Sequence, residues 1–179
     1  MEEMFDVYDE NGKYLGVKTK SFCHSENPGV YHKPVWIWIV NSKNEVLIQK
    51  RAENKKFMPN KWDGSATGHV VAGETSLQGS VREVFEEIGV LFKEKDFIFM
   101  GEFLAPEVWE IGQVYLLKAD IPLDKMKLQE EEVSEAKWID FEGFKNLLFS
   151  NEFMPYSENY KKWICEDLQK EIIKQNQPQ

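Results

Sequence analysis

Three carboxylates near the middle of the chain, Glu83, Glu86 and Glu87, stand at i, i+3 and i+4. On a helix this spacing brings them to neighbouring points of one surface. Left alone they repel one another. A hard divalent cation among them removes the repulsion, and ligation by a few oxygens suits Mg²⁺ or Mn²⁺. A bare Glu-x-x-Glu-Glu is better read, by itself, as a solvated acidic face. A second signal lies upstream, where Lys50, Arg51, Lys55, Lys56 and Lys61 face one acid, Glu53, a local net of +4 in a chain of formal charge −9. Such a run is either a funnel for an anionic ligand or a solvated basic loop.

The elements that must hold these residues follow from periodicity. From Thr75 to Ile88 the apolar residues Leu77, Val81, Val84, Phe85 and Ile88 recur at three and four, so the glutamates ride on an amphipathic helix that Gly89 ends. Before it, Phe5–Tyr8 and Tyr14–Val17 flank the hairpin signal Asn11-Gly12, and Val35–Val40 and Glu45–Gln49 read as two strands. After it come strands at Phe97–Phe103, Gln113–Ala119 and Ala136–Ile139. Asp140 caps a short helix through Phe149, and Ser157 caps a longer one whose buried stripe is Tyr160, Trp163, Ile164, Leu168 and Ile172. Strands with a central helix and terminal helices predict a sheet covered on its faces, in a single domain over 1–179 whose last helix runs from about 157 to 174.

Composition sets the bounds. Hydrophobic residues are 42% and aromatics 13%, enough to fold. Twenty-two cations against 31 acids argue against an extended nucleic-acid surface but not against a small anionic ligand bridged by metal. Cys23 and Cys165 form neither a disulfide framework nor a metal pair. The longest apolar run, Val35 to Val40, is far short of a bilayer span, and the acidic start lacks the pattern of a secretory signal, so the expected compartment is cytoplasmic, with no membrane partner. Trp36, Trp38, Trp62, Trp109 and Tyr115 are read as core packing before stacking surfaces.

Around the glutamates a longer pattern is complete. Gly68 is followed after five residues by Glu74, then after seven by Arg82-Glu83-Val84-Phe85-Glu86-Glu87-Ile88-Gly89-Val90. This resembles the Nudix box over 68–90 with every fixed position filled. The resemblance implies the Nudix fold, an α+β architecture with a mixed sheet between helices, and Mg²⁺- or Mn²⁺-dependent hydrolysis of a diphosphate linkage in a nucleoside diphosphate-X or similar organic diphosphate. It implies Glu83, Glu86 and Glu87 as metal ligands, with Glu86 or Glu87 also polarising the attacking water, and Arg82 orienting a carboxylate with Glu74 its partner. Gly68 is read as permitting a tight loop whose carbonyls face the cation. A further base from outside the box has four candidates, Glu107, Glu110, Glu131 and Glu132.

The stretch from Arg51 to Trp62, with Gly68-His69 beyond it, also resembles the diphosphate-binding segment of type I isopentenyl-diphosphate isomerases, which share the fold. That likeness implies Arg51 and Lys55, with Lys56 beside them, as contacts to a small-molecule diphosphate. It places His24, His32 and His69 in register with metal-ligating histidines of the isomerase, with Glu110 the best acidic match; the other reading has the histidines hydrogen-bonded within the fold. Where the isomerase has its catalytic cysteine this chain has Thr67, a hydroxyl far too weak an acid to replace a thiol. The expectation is therefore a hydrolase on an isomerase-like frame, with isomerase activity or a non-catalytic ligand-binding domain as alternatives. Many members of the family are dimers, which extends the expectation to a homodimer.

Overall fold

The computed structural model describes residues 2–26 and 28–175, so Met1 and 176–179, at the ends of the expected single unit, lie outside it. In chain order the elements are β1 Met4–Tyr8, β2 Tyr14–Thr19, α1 Lys20–Cys23, β3 Pro34–Val40, β4 Glu45–Arg51, β5 Trp62–Asp63, β6 Ala66–His69, α2 Ser76–Ile88, β7 Ile98–Ala105, β8 Glu110–Lys118, β9 Val133–Asp140, α3 Phe141–Leu148 and α4 Glu158–Gln175. The long elements fall where periodicity put them. β5, β6 and α1 were not anticipated, being too short for a period to register.

The main sheet runs β5-β4-β3-β8-β7, with β6 added to β3 and β9 to β4. β3 pairs parallel with β8, from Val35↔Gln113 to Val40↔Lys118, and its other pairings are antiparallel, so the sheet is mixed. All seven β3 residues are buried, which is why that strand reads as an unbroken apolar run. β3 and β4 touch only at Ile39↔Leu47 and Val40↔Val46 and then diverge. The segment 62–69 fills the fork, β5 on β4 and β6 on β3. Buried Ser65 staples it there: its N–H donates to Ile37 O at 3.0 Å, its hydroxyl donates to Leu47 O at 2.6 Å, and its Oγ accepts from Ile39 N at 2.7 Å.

Helices cover both faces. Trp36, Trp38 and Ile48 pack against Phe144 of α3 and Tyr160, Ile164 and Leu168 of α4. Val35, Ile37 and Leu47 pack on the opposite face against Val84 and Ile88 of α2. Trp36, Trp38, Trp62 and Tyr115 are core residues, while Trp109 is half-buried against Tyr31. Asp140 caps α3 by accepting from Gly143 N at 2.9 Å. The β1–β2 hairpin is a separate two-stranded sheet whose Phe5 and Val7 bury Cys23; Cys23 and Cys165 are both free thiols. Among the described residues no helix is long and apolar enough to cross a membrane.

Candidate functional site

α2 starts at a capping box, Thr75 accepting from Gln78 N while the Gln78 side chain accepts from Thr75 N, and stops at Gly89 in the left-handed conformation with φ 71°. Between these ends Arg82 organises the acids. Nε and Nη2 grip the two Glu74 oxygens, each at 2.9 Å; Nη1 donates to Glu83 Oε1 at 2.7 Å and Glu86 Oε2 at 3.1 Å; Nη2 also donates to His69 O at 2.8 Å. All five guanidinium N–H groups are thereby engaged. The Glu74 hydrogen bonds hold Arg82 firmly protonated, and Arg82 in turn draws Glu74 below the usual carboxylate range.

The three box glutamates are neighbours on α2, as the spacing predicts, but they lie at different depths. Glu86 is exposed, Glu83 is mostly covered and Glu87 is buried, because the helix leans its Glu87 side onto the sheet. Glu87 Oε2 accepts from Thr67 N at 2.8 Å and Gln49 Nε2 at 2.9 Å, so the strand backbone at 67 and a buried amide on β4 hold it. Burial pushes Glu87 well above the ordinary range, and Glu83 adds to the effect. Glu83 is raised to about 7 by burial, against the pull of Arg82. Gly68 also acts differently from its expected loop role. It sits inside β6 opposite Val35, and a Cβ there would lie 1.9 Å from Glu83 Cδ; glycine leaves the room in which Glu83 lies flat on the strand and accepts from His69 N at 3.2 Å.

The three histidines converge from three elements. His24 follows α1, His32 precedes β3 and His69 ends β6, with ring centroids 4.9–5.2 Å apart and one ligand atom of each within 4.8 Å of the others. Among the described residues this is the one cluster of three or more His, Cys, Asp or Glu groups that closes so tightly. Phe5 of the hairpin stacks on His32 and His69 at 5.3 and 4.9 Å, each at 14°. Among the described residues neither ring nitrogen of buried His32 has a hydrogen-bond partner. Burial lowers His32 to about 3 and pulls His69 well down, which keeps both imidazoles in the neutral, ligand-competent form. Glu110 Oε1 lies 3.6 Å from His32 Nε2 and 3.9 Å from His69 Nε2, and burial raises its carboxyl to about 8. Of the other acids considered outside the box, Glu132 pairs with Lys55, and Glu107 and Glu131 stay at the surface.

The basic run divides. Arg51 reaches back over its loop, Nε donating to Met58 O at 3.2 Å and Nη2 to Phe57 O at 3.1 Å, with Nη1 3.6 Å from Asp63 Oδ2. Lys55 pairs with Glu132 and Lys56 is exposed. Lys50 and Lys61 turn elsewhere: Lys50 Nζ lies 5.7 Å from the Trp62 ring, Lys61 bonds Asn151 O, and both line a shallow cavity of about 280 Å³. The expected single funnel is thus two patches, because neighbouring residues of β4 leave opposite faces of the strand. Asp63, Tyr156 and Gln49 escaped the sequence reading. For Asp63 one signal was available, a lone acid in the otherwise uncharged stretch Trp62–Gly68. Burial pushes its carboxyl above the aspartate range, against Arg51 and Tyr156.

A mixed sheet between helices, with a complete acidic helix braced by one arginine, is the architecture expected of the Nudix fold. The NUDIX domain family matches residues 30–158. Nudix hydrolase 3 of Arabidopsis thaliana is 36% identical over 173 residues, covering 88% of this chain, although the chain spans only 22% of that protein. An uncharacterized Nudix hydrolase of Listeria monocytogenes is also 36% identical, over 160 residues that cover 87% of this chain and 90% of its own. Isopentenyl-diphosphate isomerases align as well, that of Corynebacterium diphtheriae at 28% identity over 96% of this chain. The crystal structure of DR0079 from Deinococcus radiodurans superposes with a TM-score of 0.71 over 94% of this chain and 98% of its own, at 20% identity, a likeness of fold. The chain belongs to the Nudix hydrolase family, and within it to the part that resembles isopentenyl-diphosphate isomerase.

Proposed function

We propose that this protein is a divalent-metal-dependent hydrolase that cleaves the diphosphate linkage of a small organic diphosphate, nucleoside diphosphate-X being the leading class. The observation that carries this reading is the grip of Arg82, four of whose donors hold Glu74, Glu83 and Glu86 in fixed relation above buried Glu87. Crowded carboxylates raised by burial and mutual repulsion favour a bound cation, which relieves both. A ligand-binding module has no use for such a set.

Glu83, Glu86 and Glu87, with the Gly68 carbonyl, would hold Mg²⁺ or Mn²⁺. When bound, the metal neutralises phosphate oxygens and acidifies water. Exposed Glu86 is open to the solvent from which the attacking water comes, while Glu87, anchored by Thr67 N and Gln49, fixes depth and register. Arg51, Lys55 and Lys56 bind the diphosphate. The second cluster, His24, His32 and His69 with Glu110, offers neutral nitrogens and fits a borderline transition metal such as Zn²⁺.

The test is a panel of nucleoside di- and triphosphates, nucleotide sugars, dinucleoside polyphosphates, coenzyme A, thiamine diphosphate and isoprenoid diphosphates, assayed with Mg²⁺ or Mn²⁺ for phosphate release or for two phosphorylated halves. Metal-dependent release from at least one compound is expected. Interconversion of isopentenyl and dimethylallyl diphosphates without release, or inertness across the panel, would overturn the reading.

A further inference from the structure

Asp63 has no part in the box, in the histidine cluster or in the basic run, yet it is 1% exposed and charged groups surround it. Its Oδ1 accepts from Tyr156 Oη at 2.6 Å and from Gly64 N at 2.8 Å, and its Oδ2 faces Arg51 Nη1 at 3.6 Å. Tyr156 is itself fixed, its ring packed against Trp36 at 5.3 Å and Tyr160 at 5.0 Å. The Asp63 carboxylate therefore cannot swing, and the chain Tyr156–Asp63–Arg51 connects the α4 face of the core to the basic loop.

Stability does not account for this arrangement. A buried ion pair returns little net stability compared with apolar packing, since desolvation consumes most of the attraction. Nor does its sign suit the neighbourhood: Asp63 adds negative charge near Glu87 and Glu110, where an anionic diphosphate is to bind. What the carboxylate does supply is direction. Arg51 Nε and Nη2 are fixed by the carbonyls of Met58 and Phe57, in a loop where Met58 takes the unusual φ of 48°. With Asp63 beside Nη1 the guanidinium is bounded on a third side, and its N–H groups not bonded to the loop stay set for an incoming acceptor.

We propose that Asp63, backed by Tyr156, is a positioning residue for the substrate's diphosphate, acting through Arg51. The proposal rests on the reading of Arg51 as a diphosphate contact. It makes a prediction of sign: removing a negative charge next to a polyanion site should weaken anion binding if orientation dominates, and strengthen it if Asp63 merely offsets Arg51.

The probe is imidodiphosphate, a non-hydrolysable diphosphate, titrated with Mg²⁺ by calorimetry into the full chain. Asp63→Asn keeps an oxygen for Tyr156 and Gly64, removes the charge and turns an uncharged amide donor toward Arg51. It is expected to weaken binding about ten-fold, the worth of a lost charge-assisted contact. Tyr156→Phe should act in the same direction with a smaller effect, while circular dichroism and melting report a retained fold. In an Arg51→Ala background Asp63→Asn should add nothing, whereas a general loosening of the core would add its full effect. Tighter or unchanged binding by Asp63→Asn, or an undiminished effect without Arg51, overturns the proposal alone. If Arg51→Ala binds the probe as well as the unaltered chain, the Arg51 reading fails and this proposal fails with it.

Discussion

The acidic helix and the histidine cluster lie side by side, joined through His69, but they meet their electrostatic needs in opposite ways. On α2 the protein supplies its own cation: Arg82 spends all five donors on Glu74, Glu83, Glu86 and the His69 carbonyl. In the cluster His32 has two nitrogens without a hydrogen-bond partner among the described residues, and the acid at its side is drawn toward its neutral form. A buried polar atom without a partner costs about 1–3 kcal/mol. The lesson is that the loudest sequence motif is the better-compensated region, and the quieter residues carry the sharper demand for a ligand.

The largest effect expected from this contrast is on turnover. Glu86→Gln should reduce kcat by about 10²- to 10⁴-fold, the scale of lost acid–base or water-polarising catalysis, while the melting temperature barely moves. If His32→Gln removes as much turnover with the box intact, the division of labour collapses. Next in size is metal-linked stability. Zn²⁺ at about 100 times its Kd should stabilise the protein by about 2.7 kcal/mol, read from thermal melts against EDTA. His32→Gln should abolish that gain and Glu86→Gln should leave it; the reverse pattern would move the transition metal to α2. Third, Gly68→Ala should cost about 1–3 kcal/mol by urea melts, because Glu83 occupies the place of the new methyl. Glu83→Ala should relieve that penalty, and simple additivity would show the contact to be incidental.

The smallest net effect is on pH dependence, because two groups oppose each other. His32 stays neutral in the fold down to about pH 3, whereas the unfolded chain takes up a proton near 6.5. Between those values the unfolded state binds more protons, so His32 makes stability rise with pH and fall as acid is added, by up to about 1.4 kcal/mol per unit. Glu83 works in the other direction, since its carboxyl is raised to about 7 and stays protonated while the unfolded chain ionises from about 4.5. Comparing urea midpoints of the parent and His32→Gln in EDTA isolates the histidine, and a parallel pair of curves from pH 4 to 6.5 would rule it out.

Sequence reading recovered what periodicity and capping encode. The α2 helix, its Thr75 start, its Gly89 stop, the Asp140 cap and the α4 stripe were all legible because each is a local property. The Arg82–Glu74 pair was legible too, from the box pattern alone. Burial depth was not. Nothing in the spacing of Glu83, Glu86 and Glu87 distinguishes the exposed member from the buried one; that depends on how α2 leans on β6 and on Gln49 from a distant strand. The wedge 62–69 was invisible for the same reason, since β5 and β6 are shorter than any period and owe their extension to the fork in which they sit. Asp63 was lost with them.

The parallel pairing of β3 with β8 bears on how the molecule reaches this state. His32 and Glu110 become neighbours through an isolated parallel bridge just ahead of the β3–β8 ladder, so they meet only when the first and second halves of the chain have closed on each other. Closing a long loop is entropically costly and brings little reward until the ladder zips, which places such a chain among the slower folders, on the order of milliseconds to seconds. A metal ion offered to the unfolded chain finds His24 and His32 but neither His69 nor Glu110 within reach. It therefore cannot seed folding as zinc does in a finger peptide. Its expected kinetic signature is a slower unfolding rate with an unchanged refolding rate.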